Sequence, residues 1–412
     1  MSISHERISR PGTAGRLVAP GPASALATLA NVAPTVELSA QPTVERVSTL
    51  ELFFDLVFVF TVTQLSAVLT HGVTWKALGQ VMLMLGVIWW MYAGYAWLTN
   101  AVATRGVGRR AVLLGGMAGY LVLALAIPAA FAGSGLAFGL AYALVVLVHS
   151  TLYVRLASDR SSEAIRGIVP FNLVAAALVI VGGALGGTPQ AVLWTAAVVL
   201  EWTTPHLARG GENQQEFEIV PAHFVERHGL VIIVAIGESV VAIGIGAAGL
   251  AVDAELVLVA VLGLLLSAAL WWAYFGADDD AQAEEALTRA PAQVRPWMAL
   301  YGFGFAHYFL LLGIVLTAVG LKKATGHPYD ELTGSQALAL GGGVAMFLAA
   351  DVWFRRVLGL GRSVHRGAAA LLALATVAVG TGIAAAAQIG ALVVVLLAAL
   401  VGEGAARRGG VA

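Results

Sequence analysis

The sequence predicts an all-α protein, a polytopic transmembrane bundle of about twelve helices arranged as two parallel six-helix repeats. Three observations predict it. From Leu50 onward, apolar stretches of roughly 20 residues, the length that crosses about 30 Å of hydrocarbon, follow one another with short breaks. Hydrophobic residues make up 59% of the chain and charged residues 11%, with a mean hydropathy of +0.85. Soluble domains sit near about 45–50% and 25%, so a soluble globule is excluded. The tripeptide Val-Glu-Arg stands at 44–46 and again at 225–227, each time leading into an apolar run that carries a carboxylate.

Taken in order, residues 1–45 carry Arg7, Arg10 and Arg16 among Pro, Gly, Ser and Ala without helical or strand periodicity. They read as a disordered cytosolic tail. Leu17 to Val32 is interrupted by Pro20 and Pro22 and does not read as a signal-peptide core. The helices then fall at about 50–70, 77–98, 110–130, 134–154, 166–186 and 189–206, a first half spanning 46–207. A cytosolic linker at 208–228 joins it to a second half, 229–403, with helices at 229–250, 255–276, 296–320, 335–356, 366–385 and 387–402. Residues 404–412 form a second cytosolic tail.

Charge placement supports this count. With these spans, every lysine and arginine except Lys76, Lys322 and Lys323 falls on one side of the membrane, as the positive-inside rule requires for an even number of crossings. Both termini are therefore expected in the cytosol. The repeat is supported by aromatic runs ending the second helix of each half, Trp89-Trp90-Met91-Tyr92 and Trp271-Trp272-Ala273-Tyr274. Six helices per unit would relate the halves by an axis along the membrane normal.

Two stretches carry a resemblance. Glu51-Leu52-Phe53-Phe54-Asp55-Leu56-Val57-Phe58-Val59-Phe60 is the first. The second is His223-Phe224-Val225-Glu226-Arg227-His228-Gly229, followed by Ile236-Gly237-Glu238-Ser239. Together they resemble the hallmarks of the bacterial low-temperature-requirement A (LtrA) membrane protein family, over about Val44 to Val401. The resemblance implies a multi-pass protein of the bacterial inner membrane.

The residues that could carry chemistry are few. A carboxylate inside a span costs about 2.5 kcal/mol or more and asks for a reason. Glu51 and Asp55, four apart, share a helix face. They can share a proton or hold a cation, or pair with Arg46 or Arg227 to fix packing. Glu238, between Gly237 and Ser239, lies well inside the seventh helix and is expected to be protonated, to be paired with a base such as His307 or to line a cavity. His307 sits among aromatic residues in the ninth helix. Glu45, Arg46, Glu226 and Arg227 are expected as ion pairs at the cytosolic helix ends. Glu201, His206, His223, Glu226 and His228 are of types that can ligate zinc or iron, but their spacing matches no established motif and they read as a solvated region around the linker. The run Asp278, Asp279, Asp280 offers a second reading, in which it holds Mg²⁺ for a membrane-embedded enzyme acting on a lipid or isoprenoid diphosphate. The first reading is a proton- or cation-coupled transporter of a small molecule or ion, with Glu51, Asp55, Glu238 and His307 as the coupling site and no cofactor. Partners are the lipid bilayer and that solute, with no nucleic-acid patch. Gly182 with Gly186, Gly183 with Gly187 and Gly115 with Gly119 read as helix contact points.

Overall fold

The structure, a computed structural model, describes residues 47–102, 106–207, 217–276, 279–361 and 363–409, excepting the side chains at 159, 160 and 409. Glu45, Arg46, Asp278 and the expected tail at 1–45 lie outside the described residues. Among the described residues there is no strand. The helices are α1 (Thr49–His71), α2 (Trp75–Ala101), α3 (Val107–Ala126), α4 (Gly135–Leu156), α5 (Asp159–Leu185) and α6 (Gly187–Leu207). They continue with α7 (Pro221–Gly246), α8 (Ala254–Phe275), the short α9 (Asp279–Arg289), α10 (Arg295–Thr325), α11 (Gly334–Leu358), α12 (Val364–Gly382) and α13 (Ala385–Gly409). Eleven of the described helices are long and apolar enough to cross a membrane. The remaining long one, α6, carries Gln190, Glu201 and His206 and is less apolar.

Local chemistry sets several boundaries. Ser48 caps α1, and the Glu51 carboxylate reaches back to the Ser48 N–H at 2.8 Å, closing a capping box. Gly186 and Gly187 adopt positive φ, +68° and +57°, and turn α5 directly into α6. Gly183 is a true contact point: a Cβ there would fall 2.1 Å from the carbonyl oxygen of Gly135, so α4 and α5 touch backbone to backbone. Gly115, by contrast, faces open space.

Within 49–207, α1 packs on α2 and α3, α2 on α4 and α6, α3 on α4, α4 on α5, and α5 on α6. Within 221–409, α7 packs on α8 and α10, α8 on α11 and α13, α10 on α11, α11 on α12, and α12 on α13. Between these sets, α1 lies along α7, and α10 rests on both α1 and α2. The starts of α1 and α7 adjoin, since the Val47 N–H donates to Glu226 at 3.3 Å. The end of α13 reaches the same face, where Arg407 meets Asp279 at 3.8 Å. At the opposite face, Lys322 near the end of α10 adjoins Gly246 at the end of α7.

The seventh helix begins at Pro221, earlier than the 229 expected from hydropathy. His223, Arg227 and His228 made this turn look like linker, yet all three are buried. Polar residues that meet partners on another helix do not mark a helix end.

Candidate functional site at the interface of α1 and α7

The α1–α7 seam carries three polar layers, stacked from the face where both helices start. In the first, Glu51 Oε1 lies 3.1 Å from His223 Nε2 and 3.4 Å from Arg227, while Asp55 Oδ1 lies 3.0 Å from Arg227. Tyr92 of α2 donates its hydroxyl to Asp55 at 2.7 Å. The Arg227 guanidinium sits 5.6 Å from the ring centres of both Phe54 and Tyr92, within cation–π range. Two carboxylates thus share one arginine in a site where Asp55 and Arg227 are 0% and 1% exposed. Of the two arrangements open in the sequence, the geometry is that of the ion pair with Arg227. Glu226 is exposed and faces Val47 instead of Arg227.

The second layer is aromatic and imidazole-rich. His307 Nδ1 lies 2.8 Å from the Gly302 carbonyl, which only accepts, so in a neutral ring Nδ1 carries the proton and Nε2 accepts from the Tyr274 hydroxyl at 2.7 Å. His228 is held in the same way, Nδ1 to the Phe224 carbonyl at 2.8 Å, and its Nε2 has no hydrogen-bond partner among the described residues. The two rings meet edge to face at 5.5 Å, and Trp89 stacks on His307 at 6.4 Å. Trp89 donates its indole N–H to Gly304 at 2.6 Å, a carbonyl within the π-helical stretch Ala299–Ala306 of α10. Such stretches recur at functional sites because they free backbone groups from the regular ladder.

The third layer is Glu238. Its carboxylate accepts the Thr63 hydroxyl at 2.6 Å and the Ser66 hydroxyl at 2.7 Å, both from α1. It is 2% exposed and forms no ion pair among the described residues. The expected pairing with His307 is therefore not made: His307 belongs to the layer of His228 and Tyr274. A Cβ at Gly237 would meet nothing within 4 Å, so this glycine leaves space and does not seat a neighbouring helix.

The acidic run resolves differently. Asp279 is buried against Arg355 and lies 3.4 Å from Arg366, and Asp280 accepts the Ala281 N–H at 2.9 Å at the start of α9. A carboxylate neutralised by two arginines is not free to hold Mg²⁺, which removes the basis of the metal reading at Asp279. No cluster of His, Asp or Glu suited to a metal occurs among the described residues.

The wider cluster around Asp279 escaped sequence reasoning. Arg366 binds Asp351 at 2.5 Å, Glu403 at 2.8 Å and the Ala273 carbonyl, while Arg355 reaches Glu403 at 3.4 Å and the Leu360 carbonyl at 2.7 Å. Arg407 completes three arginines against three acids. Asp351 carried a readable signal, being an acid inside the expected helix at 335–356. So did Glu201, which is buried in α6 and bound by the Tyr142 hydroxyl, not part of a solvated linker.

Comparison with known proteins bears on the family. No solved structure matches. A protein of Rhizobium meliloti (strain 1021), named only as uncharacterised, is 31% identical over 315 residues, covering 74% of this chain and 76% of its own. The family description "Bacterial low temperature requirement A protein (LtrA)" matches residues 46–401. The chain therefore belongs to the LtrA family of membrane-spanning helical proteins.

Proposed function

We propose that this protein is a proton- or cation-coupled transporter of the bacterial inner membrane, with Glu238 as the residue that takes up and releases the coupling ion. The observation that carries this reading is the environment of Glu238. A carboxylate within a span, held by two hydroxyls and no cation, is a site at which a proton or small cation completes the set. The oxygens of Thr63 and Ser66 and the two of Glu238 are ligands of the kind such an ion uses. Asp55 and Glu51, reached through Arg227 at the mouth of the seam, serve as the relay to the aqueous phase. His228 and His307 lie beside that path.

The halves 46–207 and 229–403 are read as two parallel repeats, supported by the matching order of helix packing in each. The site between α1 and α7 then lies where transporter repeats meet. The arginine-rich face, which holds the starts of α1 and α7 and the end of α13, is assigned to the cytosol, with both termini on it.

The test is internal pH in sealed liposomes carrying the purified protein, under an imposed potential and a panel of candidate solutes. The wild-type protein is expected to move protons with one solute, and Glu238→Gln to abolish the movement while inserting normally. Wild-type transport that Glu238→Gln and Asp55→Asn leave unchanged in rate and pH dependence refutes the assignment.

A further inference from the structure

Residues of α2, α4, α5, α6 and α10 line a partly open cavity of about 320 Å³, within the lower range of small-molecule pockets. Its walls include four tryptophans, Trp89, Trp90, Trp97 and Trp202. Two of these have their only polar atom already engaged, Trp89 on the Gly304 carbonyl and Trp90 on Asn172 Oδ1 at 3.1 Å. Trp89 already stacks on Tyr92 and His307, so of these two it is the half-buried Trp90 that offers a ligand a ring face and no donor.

The charge of the lining is one-sided. Among the described residues it includes one carboxylate, Glu163, exposed in the first turns of α5, and no lysine or arginine. His149 of α4 and Asn172 of α5 are buried polar side chains of the wall, and Asn172 is taken up by Trp90. His149 is 2% exposed, its Nε2 edge lies against Gly94, and its Nδ1 has no hydrogen-bond partner among the described residues. An anion would find no positive charge among the described lining residues, and a strongly hydrated ion would find too few polar groups there to replace its water. A cation whose charge is spread beneath apolar groups suits the walls, because tryptophan faces attract it more strongly than other aromatic rings do.

We propose that this cavity binds an organic cation with an apolar body, such as a quaternary ammonium compound, with its charge held against the tryptophan faces and directed toward Glu163. The assignment supplies the solute class that the transport reading leaves open, and its physiological meaning rests on that reading. A physical link exists. Trp89 lines the cavity and also stacks on Tyr92 at 5.2 Å, whose hydroxyl holds Asp55. Occupying the cavity can therefore be felt at the ion pairs of the α1–α7 seam through a single side chain.

Binding does not require flux, so this proposal is tested apart from the transport reading. Purified full-length protein in detergent is dialysed to equilibrium against radiolabelled benzyltrimethylammonium, and against benzylsulfonate, which has a similar body and the opposite charge. Saturable binding of the cation is expected, with the anion weaker by about tenfold or more. Trp90→Leu is expected to weaken the cation by about fivefold to thirtyfold, as for a desolvated cation–π contact. Glu163→Gln, at an exposed position that leaves the fold intact, is expected to weaken it by about twofold to fivefold at low salt. The proposal is overturned if the anion binds as well as the cation, if the cation shows no saturable binding, or if both variants bind it as wild type. A copurifying acyl chain that the cation does not displace also overturns it. Proton movement dependent on Glu238 in a protein that fails these tests leaves the transport reading standing.

Discussion

Helices α2, α4, α5 and α6 of the first half and α8, α11, α12 and α13 of the second pack in the same order, yet they enclose different things. The first set, with α10, surrounds a tryptophan-lined cavity and leaves His149 with an unpartnered nitrogen. The second surrounds Asp351, Arg355, Arg366 and Glu403, together with Asp279, in a buried ionic cluster closed by backbone carbonyls of Ala273 and Leu360. The difference teaches how one packing arrangement divides labour. The ionic side is fixed, because moving any member strands a buried charge. The aromatic side is open to a guest, because tryptophan walls bind without demanding a partner of their own.

This contrast can be broken at its strongest point first. Arg366→Leu removes the arginine shared by Asp351, Glu403 and Asp279, leaving acids in low dielectric, and is expected to destabilise the protein by about 3–5 kcal/mol. Thermal unfolding followed by tryptophan fluorescence in detergent reads the loss; a melting temperature within a degree or two of wild type contradicts the locked reading. Arg227→Met tests whether the seam resembles the locked side. It should cost on the order of 3 kcal/mol, and adding Glu51→Gln and Asp55→Asn should restore much of it, because the stranded charges are then gone. The triple variant melting no higher than the single one would show that the arginine acts through packing alone.

Smaller effects sharpen the comparison on the aromatic side. Gly183→Ala forces apart the backbone contact of α4 and α5 at Gly135, and an overpacking loss of about 1–3 kcal/mol is expected. His149→Leu should change stability by no more than about 1 kcal/mol, since replacing an incompletely paired buried polar group with an apolar one is close to neutral. A loss on the scale of Arg366→Leu would mean that His149 anchors its half as the ionic cluster anchors the other.

How far the sequence could be read follows from which forces act along the chain and which act across it. Span length and hydropathy are properties of consecutive residues, so the expected helices at 255–276 and 335–356 match α8 and α11 closely. The pairing of Asp55 with Arg227 was one of two open alternatives, because α1 and α7 come together through their lateral order in the bundle, which hydropathy does not encode. His228 looked solvated for the same reason: its burial against Phe303 and His307 depends on α10 crossing over it. Glu238 was legible as an intramembrane acid, but its hydroxyl partners Thr63 and Ser66 were not, since both are ordinary helix residues until another helix faces them. Asp351 was missed although it carried the same signal as Glu238.

The central claim is that Glu238 exchanges an ion with water from within the bundle. Its most direct test is the reaction of Glu238 with a hydrophobic carbodiimide in sealed vesicles, with mass spectrometry of the α7 peptide and internal pH followed in the same preparation. Glu238 is expected to be modified, with proton movement falling in proportion to the modified fraction. Complete modification of Glu238 with proton movement unchanged would contradict it.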